Sequence, residues 1–153
     1  MNVQKYILEL LNSNEESSIK GKLFLQKEIF LIIKEVLDSE TAEKLDSELS
    51  FEAYNYGPYS FNLENILKSM EKNNLIDVNT DNNDILYTIT NKGKNHLNEE
   101  NIGSNIKNKI FKLKMGSERL GYKGLIRYVY FNYPEYTTKS LIKDEVMGED
   151  NGT

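Results

Sequence analysis

Apolar residues recur at the spacing of amphipathic helices in the first part of the chain. The first set that shares a helical face is Val3, Ile7, Leu10 and Leu11, and it predicts a helix over residues 2–12. A polar stretch ends this helix, and Ser17 or Ser18 is placed to cap the next one. The second helix is predicted over residues 19–37. It is apolar on more than one side, which favours a central position in the domain. Residues 39–47 predict a short amphipathic turn.

The decapeptide FEAYNYGPYS, residues 51–60, combines an extended segment with a Gly-Pro pair. Gly57-Pro58 is expected to stop the extended segment, because proline has no N–H, has a fixed φ and disfavours the α region for the residue before it. Ser60 then stands at the N-cap of a helix predicted over residues 60–73.

The next segment has the pattern of a β-hairpin. Asn73 and Asn74 suit the end of the preceding helix, since Asn tolerates the left-handed conformation. Residues 75–78 are predicted to form one strand, and the alternation of residues 85–89 predicts the returning strand. The polar stretch NTDNND, residues 79–84, is the predicted turn between them.

The chain beyond this hairpin is predicted to be helical. Thr90 is placed to cap a helix through about Leu97, and Pro134 ends a later one. The apolar residues of the remaining helices are Ile106, Ile110 and Leu113, then Leu125, Tyr128 and Val129, and finally Leu141, Ile142 and Val146 after a cap at Thr137 or Thr138. No repeat or long linker divides the sequence. Residues 1–147 are therefore predicted to form a single domain and residues 148–153 a flexible tail.

The order of these elements predicts an α+β fold that is mostly α. A helix followed immediately by a two-stranded hairpin is the arrangement of a winged helix-turn-helix, here with additional C-terminal helices. In such folds the helix before the wing, residues 60–73, is often the recognition helix.

Composition and local hydropathy bear on the compartment of the protein. The chain has 153 residues and no cysteine, which excludes disulfides and thiolate metal sites and favours a reducing compartment. The N-terminus lacks the pattern of a signal peptide. The longest apolar stretch, residues 29–33, is far too short to span a bilayer. We expect a soluble, cytoplasmic protein that does not contact a membrane.

Charge is unevenly distributed along the sequence. The formal net charge is -5, but residues 91–127 carry 9 basic and 3 acidic side chains, a net of +6. Such a stretch fits nucleic acid, an acidic partner or the protein's own acidic surface. The simplest interpretation is that its lysines are solvated on helix faces.

Motifs for catalysis, metal binding and cofactor binding are missing from the sequence. His96 is the only histidine, and a zinc site would need carboxylates alone beside it. There is no Gly-x-Ser-x-Gly elbow and no phosphate-cradling glycine motif. Asp77, Asp81 and Asp84 lack the pattern of an EF-hand loop. We therefore predict no catalytic residue, no metal and no cofactor.

Several segments together resemble known small prokaryotic proteins. They are KLFLQKEIF (22–30), FEAYNYGPYS (51–60), LENILKSMEKNNLI (63–76), YTITNKGK (87–94) and YVYFNYPEYTTKSLI (128–142). Together they resemble the YwgA-like family and, more distantly, the Panacea-type (SocA-like) antitoxin domains. Asn74 stands where such proteins tend to have glycine. The resemblance implies a winged-helix-like domain with extra C-terminal helices, and the Panacea domains resemble regulators that bind a protein partner, often a toxin.

Two non-enzymatic functions follow from these patterns. The first is an antitoxin-like or regulatory interaction module that binds a protein partner, because Tyr is enriched at interface hot spots. The residues predicted to contact that partner are Tyr54, Tyr56, Gly57, Pro58, Tyr59 and Ser60. Tyr128, Tyr130, Tyr133 and Tyr136 fit either core packing or an exposed patch, and packing is favoured for Tyr128.

The alternative is a winged-helix transcription regulator that binds DNA. Residues 60–73 carry no net charge and no arginine, and the hairpin turn is acidic, so both make poor phosphate contacts. If DNA is bound, the predicted contacts are Lys107, Lys109, Lys112, Lys114, Arg119, Lys123 and Arg127.

Overall fold

The computed structural model of the chain describes residues 2–139. It is an α+β structure in which helices predominate. The helices are α1 (Asn2–Asn12), α2 (Lys22–Leu31), α3 (Ser39–Leu49), α4 (Phe61–Lys72), α5 (Asn91–Asn98) and α6 (Ser104–Asn132). The strands are β1 (Ser18–Lys20), β2 (Glu52–Tyr54), β3 (Gly57–Tyr59), β4 (Ile76–Asp81) and β5 (Asp84–Ile89). A π-helical turn, Ile32–Val36, extends α2, and a 3₁₀ turn, Pro134–Tyr136, follows α6.

The start of the second predicted helix is wrong, whereas the first predicted helix is confirmed as α1. A helix was expected from residue 19, but that residue lies in β1, which pairs antiparallel with β5. Gly21, with φ +106°, then turns the chain from the strand into α2. The Gly21 N–H donates to the Ile85 carbonyl at 2.7 Å. Gly21 itself occupies the N-cap position, so neither predicted serine caps this helix.

The segment after α2 is more ordered than the short turn predicted for it. α3 has 11 residues. Its cap is Asp38, whose carboxylate accepts from the Thr41 N–H at 2.9 Å and from the Thr41 hydroxyl at 3.0 Å. This cap satisfies a backbone N–H of the first turn and so stabilises the start of α3.

Gly57-Pro58 does not stop the extended segment as predicted. It forms β3, which folds back on β2 in an antiparallel pair with Tyr54 opposite Gly57. The turn lies at Asn55 and Tyr56, and Gly57 follows it with φ +96°. The predicted cap after the pair is confirmed, because the Leu63 N–H donates to the Ser60 hydroxyl oxygen at 2.9 Å.

The helix–hairpin segment that follows is confirmed. α4 ends before Asn74, which has the predicted positive φ of 62°. β4 and β5 pair antiparallel, with Ile76 opposite Ile89. The turn is shorter than predicted, since only Asn82 and Asn83 lie between the strands, with φ values of 51° and 67°. Two positive φ values suit the tight turns that match strand twist. β1 joins on the other side of β5, which gives the sheet order β1-β5-β4.

The C-terminal part is mostly helical, and α6 ends two residues before Pro134. Thr90 caps α5 as predicted, accepting from the Gly93 N–H at 2.9 Å. α6 is broken at Gly121, where φ is 74° and ψ is 175°. The helix predicted over Leu141, Ile142 and Val146 lies outside the described residues, as does the predicted tail. Within residues 2–139, no helix combines the length and apolar character needed to cross a membrane.

The buried apolar residues form one cluster around α2. Leu25, Ile29 and Phe30 of this helix are at most 1% exposed. The Phe30 ring packs edge-on against Phe51 at 5.2 Å between centroids, and it packs in the same way against two tyrosines beyond α6. The broad apolar surface predicted for this helix therefore places it at the centre of the fold.

Replacing Gly57 with Ala is expected to destabilise the fold more than replacing Gly121 with Ala. Both glycines have a positive φ, and a side chain there costs about 1–3 kcal/mol of backbone strain. A Cβ at Gly57 would also lie 2.9 Å from the buried ring of Tyr130, whereas a Cβ at Gly121 meets nothing within 4 Å. Overpacking adds about 1–3 kcal/mol at Gly57 alone. Urea unfolding of both variants measures the difference. Equal losses of stability would show that β3 is not packed tightly against α6.

Candidate functional site

The residues predicted to bind a partner divide between the interior and the surface. Gly57, Pro58, Tyr59 and Ser60 are buried, so they support the surface from below rather than form it. Tyr54 is 39% exposed. Tyr56 is half-buried. The structure therefore brings the six residues together in one hairpin but presents only the tyrosines of β2 and its turn.

Three aromatic rings form a cluster at the junction of this hairpin with α4. Tyr54 and Phe61 meet edge-on with centroids 5.1 Å apart, and both contact the buried ring of Tyr59, at 5.7 Å and 5.1 Å. Phe61 is 44% exposed. Sequence reasoning missed Phe61. The helical spacing could have indicated it, because Leu63 and Met70 define the core face of α4 and Phe61 lies on the opposite face.

The backbone under this cluster is fixed by a glutamine of α2. The Gln26 amide donates to the Ser60 carbonyl at 2.9 Å and accepts from the Ser60 N–H at 3.0 Å. The Ser60 hydroxyl donates to the Leu49 carbonyl at 2.6 Å while capping α4. All of these groups are buried. The entry to α4 is therefore held from two sides by hydrogen bonds that solvent cannot replace.

A polar group lies on the α4 side of the cluster. The Tyr59 hydroxyl donates to the Glu64 carboxylate at 2.7 Å, and Lys22 and Lys68 approach the same carboxylate at 3.7 Å and 3.5 Å. The bond from Tyr59 is the main reason that the pKa of Glu64 is lowered. Burial and the bond to Glu64 raise the pKa of Tyr59. Both groups thus titrate further from neutrality than usual.

A cleft of about 460 Å³ opens between α2, the β2–β3 hairpin and α4. It is lined by Lys22, Leu23, Lys27, Tyr54, Tyr56, Gly57, Tyr59, Phe61 and Glu64. Lys27 is only 1% exposed. Its ammonium donates to the Pro58 carbonyl at 3.4 Å, and burial lowers its pKa to about 7. Sequence reasoning missed this lysine, because nothing in KLFLQKEIF distinguishes a buried lysine from a solvated one.

The predicted nucleic-acid residues all lie on α6, but they do not form one surface. Lys107, Lys109, Lys112, Arg119 and Lys123 are exposed and Arg127 is half-buried. Lys114 is 0% exposed. Its ammonium donates to the Leu11 carbonyl and to Asn14 Oδ1, both at 2.9 Å. Lys114 is therefore not available to a phosphate, which corrects its place in the predicted set.

Apolar side chains interrupt the basic stretch. Phe111, Met115 and Leu120 are exposed among its lysines. A crevice of about 360 Å³ between α6 and the end of α2 is lined partly by Lys109 and Lys112. A surface of this mixed character lacks the continuous row of cations that follows a phosphate backbone.

The remaining tyrosines serve the core and one carboxylate of the π-helical turn. Tyr130 is buried. The hydroxyls of Tyr128 and Tyr133 both donate to Glu35, at 2.9 Å and 2.7 Å from Oε2. The Tyr136 ring packs against Phe30. The packing expected for Tyr128 is not seen, because its side chain is 37% exposed and is held by the bond to Glu35. Tyr128, Tyr133 and Tyr136 do not line the cleft, whereas Tyr130 lies against Gly57 of its wall.

A second buried polar group joins α2 to α6. The Glu28 carboxyl is 0% exposed and lies 2.6 Å from the Ser117 hydroxyl, which also lies 3.1 Å from the Lys114 carbonyl. A serine hydroxyl has one proton, and a carbonyl can only accept. A protonated Glu28 satisfies both contacts, because it donates to Ser117 while Ser117 donates to the carbonyl. Burial accordingly raises the pKa of Glu28 to about 8.

Replacing Gln26 with Leu is expected to lower the free energy of unfolding by roughly 1–3 kcal/mol. The change leaves the buried N–H of Ser60 without a partner, whereas the Ser60 carbonyl keeps the hydrogen bond from the Glu64 N–H at 3.3 Å. Asn62→Ala is the matched control. Its amide also donates to a backbone carbonyl, that of Glu48 at 3.0 Å, but in an exposed position, so a loss under about 1 kcal/mol is expected. Chemical denaturation compares the two, and similar losses would contradict the role given to Gln26.

Replacing Glu28 with Gln is expected to flatten the pH dependence of stability between pH 5 and 7. In this window the folded chain keeps a proton on Glu28, whose pKa is about 8, while the unfolded chain has lost it near 4.5. The free energy of unfolding therefore falls as pH rises, by up to about 1.4 kcal/mol per pH unit. Gln cannot titrate and keeps the neutral form. Denaturant unfolding at several pH values tests this, with Glu99→Gln as an exposed control. Parallel curves for wild type and Glu28→Gln would contradict it.

The candidate site is thus a cleft with an aromatic rim, a buried lysine at its base and a paired carboxylate at one side. Across residues 2–139, no group of three or more His, Cys, Asp or Glu side chains is placed to hold a metal ion. His96 contacts Glu100 at 3.8 Å on the surface of α5. No family model, curated protein or solved structure matches the chain.

Proposed function

We propose that the chain is a non-enzymatic interaction module, antitoxin-like or regulatory, that binds a protein partner through the aromatic rim of the cleft. The observation that carries the proposal is the pair of exposed rings, Tyr54 and Phe61, at 39% and 44% exposure. Each is packed against the buried ring of Tyr59. Exposed aromatic side chains that are already ordered lose little entropy on binding and are typical of interface hot spots.

The topology supports a winged helix-turn-helix scaffold for this module. β1 precedes α2 and pairs with β5, and the β4–β5 hairpin directly follows α4. On that scaffold α4 takes the place of the recognition helix and the β4–β5 hairpin takes the place of the wing. The resemblance to YwgA-like and Panacea-type proteins, drawn from the sequence, points to the same scaffold and to a protein partner.

The charges on this scaffold favour a protein over DNA. In α4, Lys68 lies 3.5 Å from Glu64, so its charge is partly neutralised. At the tip of the β4–β5 hairpin, Asp81 and Asp84 face solvent. A winged helix that binds DNA would contact phosphates through α4 and the tip of this hairpin. Phosphate contacts need cations. DNA binding by a transcription regulator stays the alternative, and it would have to use the exposed lysines of α6.

The hydrogen-bonded pair beside the cleft is not poised for acid–base chemistry near neutral pH. Tyr59 has a raised pKa and Glu64 a lowered one, so both are moved away from neutrality. Catalytic pairs are expected to be poised around the working pH. The shifts of Tyr59 and Glu64 therefore favour a binding role for this pair.

Photo-crosslinking in the source cells tests the proposed surface. A benzoylphenylalanine at position 61 is expected to crosslink a protein, and one at position 111 is not. Phe111 is the matched control, since its exposure is also 44%. With the identified partner purified, Tyr54→Ala plus Phe61→Ala should weaken binding by at least about 30-fold, which corresponds to about 2 kcal/mol. Phe111→Ala should leave the affinity within about twofold.

Two results would overturn this proposal. One is crosslinking at position 111 that equals or exceeds that at position 61. The other is tight, sequence-selective binding of a DNA duplex that survives moderate salt and is lost in Asn65→Ala or Lys68→Ala. Weak DNA binding that falls steeply with salt, and that depends on Lys109 and Lys112, agrees with the proposal.

A further inference from the structure

Lys27 is a buried lysine whose donors are mostly unused. An ammonium has three N–H donors, and that of Lys27 makes one long hydrogen bond, to Pro58 at 3.4 Å. No carboxylate of residues 2–139 forms a salt bridge with it. Lys114 is equally buried but makes two hydrogen bonds of 2.9 Å. Buried cations normally have partners, so Lys27 has the capacity to receive one.

The cleft borders the Lys27 side chain. Lys27 is among the residues that line it, together with the tyrosines of the rim. Gly57 forms the adjacent wall, and a Cβ there would lie 3.8 Å from Lys27 Cε. Because Gly57 has no side chain, only its backbone lies beside the Lys27 side chain at this wall. Tyr54 and Tyr56 line the same cleft.

The charges around the cleft select the kind of ligand. Lys22 and Glu64 are its other charged groups, and they lie 3.7 Å apart as a pair. The further titratable side chains around the cleft are Tyr54, Tyr56 and Tyr59, and Tyr130 lies beside Gly57. Glu64 accepts from Tyr59 and pairs with Lys22 and Lys68, and it forms no salt bridge with Lys27. One ammonium beside a fixed carboxylate suits a singly charged anion better than a phosphate, which prefers several donors.

We propose that the cleft is a carboxylate-binding site in which Lys27 forms the salt bridge and the tyrosine rim contacts the rest of the ligand. The carboxylate belongs to the protein partner, as an acidic side chain or a chain terminus, and this assignment rests on the function proposed above. A small free carboxylic acid has the same chemistry and is distinguished by experiment.

Binding of a carboxylate is linked to a proton. Burial lowers the pKa of Lys27 to about 7. At neutral pH the free protein therefore contains both the amine and the ammonium form of Lys27. A bound carboxylate favours the ammonium. The pKa of Lys27 must then rise on binding, and the ligand must bind more tightly below pH 7 than well above it.

Benzoate and its neutral analogue benzamide test the site in the full chain. With ¹³C-labelled lysine, the Lys27 Cε signal is identified by its loss in Lys27→Met and titrated by NMR. Saturating benzoate should raise the midpoint by at least about one pH unit, which makes benzoate binding about tenfold tighter at pH 6 than at pH 9. Benzamide should leave the titration midpoint of Lys27 unchanged. An unchanged midpoint with benzoate overturns the proposal.

Variants separate Lys27 from the other lysines. Lys27→Met should weaken benzoate binding at least about tenfold at pH 6, and Lys114→Met, the buried control, should leave it within about twofold. Equal benzoate binding by wild type and Lys27→Met overturns the proposal. Circular dichroism checks that each variant is folded. If Lys27→Met does not fold, Lys27→Arg identifies the signal instead and the wild-type titration decides.

Peptides decide the source of the carboxylate. Acetyl-Gly-Gly-Phe with a free C-terminus is compared with its C-terminal amide, and acetyl-Gly-Glu-Gly amide presents a side-chain carboxylate. Binding of either carboxylate peptide, with at least about tenfold loss in Lys27→Met, supports a partner's carboxylate. Benzoate binding without peptide binding supports the site and overturns its assignment to a protein. Failure of all carboxylates leaves the crosslinking result at position 61 unaffected, so the two proposals fail separately.

Discussion

The hydrogen bonds between the Gln26 amide and the backbone of Ser60 hold together the parts on which the candidate site depends. One end of this contact lies on α2, the central helix, and the other lies where the β2–β3 hairpin becomes α4. An amide side chain can satisfy both backbone groups of one residue, and in a buried position neither group has water as a substitute. The contact therefore fixes how far the hairpin lies from α2, and with it the width of the cleft.

Three consecutive polar residues of α2 point into the interior in three directions. Gln26 meets Ser60, Lys27 meets Pro58 at the base of the cleft, and Glu28 meets Ser117 of α6. Successive helical residues are about 100° apart, so a buried helix presents such a triplet to three neighbours. The three differ in how well they are satisfied. Both polar atoms of Gln26 have a partner, and Glu28 pairs through Oε2 while its Oε1 has none. Lys27 has donors left over and lines the cleft, which is why the inference of a ligand falls on Lys27.

The rim and the base of the cleft have complementary roles. Tyr54 and Phe61 provide exposed apolar area, whereas Lys27 provides an ammonium whose attraction for a carboxylate is strengthened by burial. Gly57 lies between the rim and the base of the cleft. Because it has no Cβ, the Tyr130 ring and the Lys27 side chain can both pack close to its backbone. Gly57 of the Gly-Pro pair is thus part of the wall of the site. Its expected role as a stop signal was wrong, although the helix cap that follows it at Ser60 was predicted correctly.

Local chemistry in the sequence determined the elements whose stabilising partners are close in the chain. The Ser60 and Thr90 caps bond to groups three residues away, and the β4–β5 turn has two asparagines that tolerate positive φ. Tertiary structure alone decided the rest. β1 is a strand because β5, far along the chain, supplies its partner. Lys27 and Lys114 are buried because α2 and α6 are covered by distant segments. A sequence pattern records which residue is charged, but burial and hydrogen bonds to remote backbone groups decide whether that charge meets solvent, a carbonyl or a ligand.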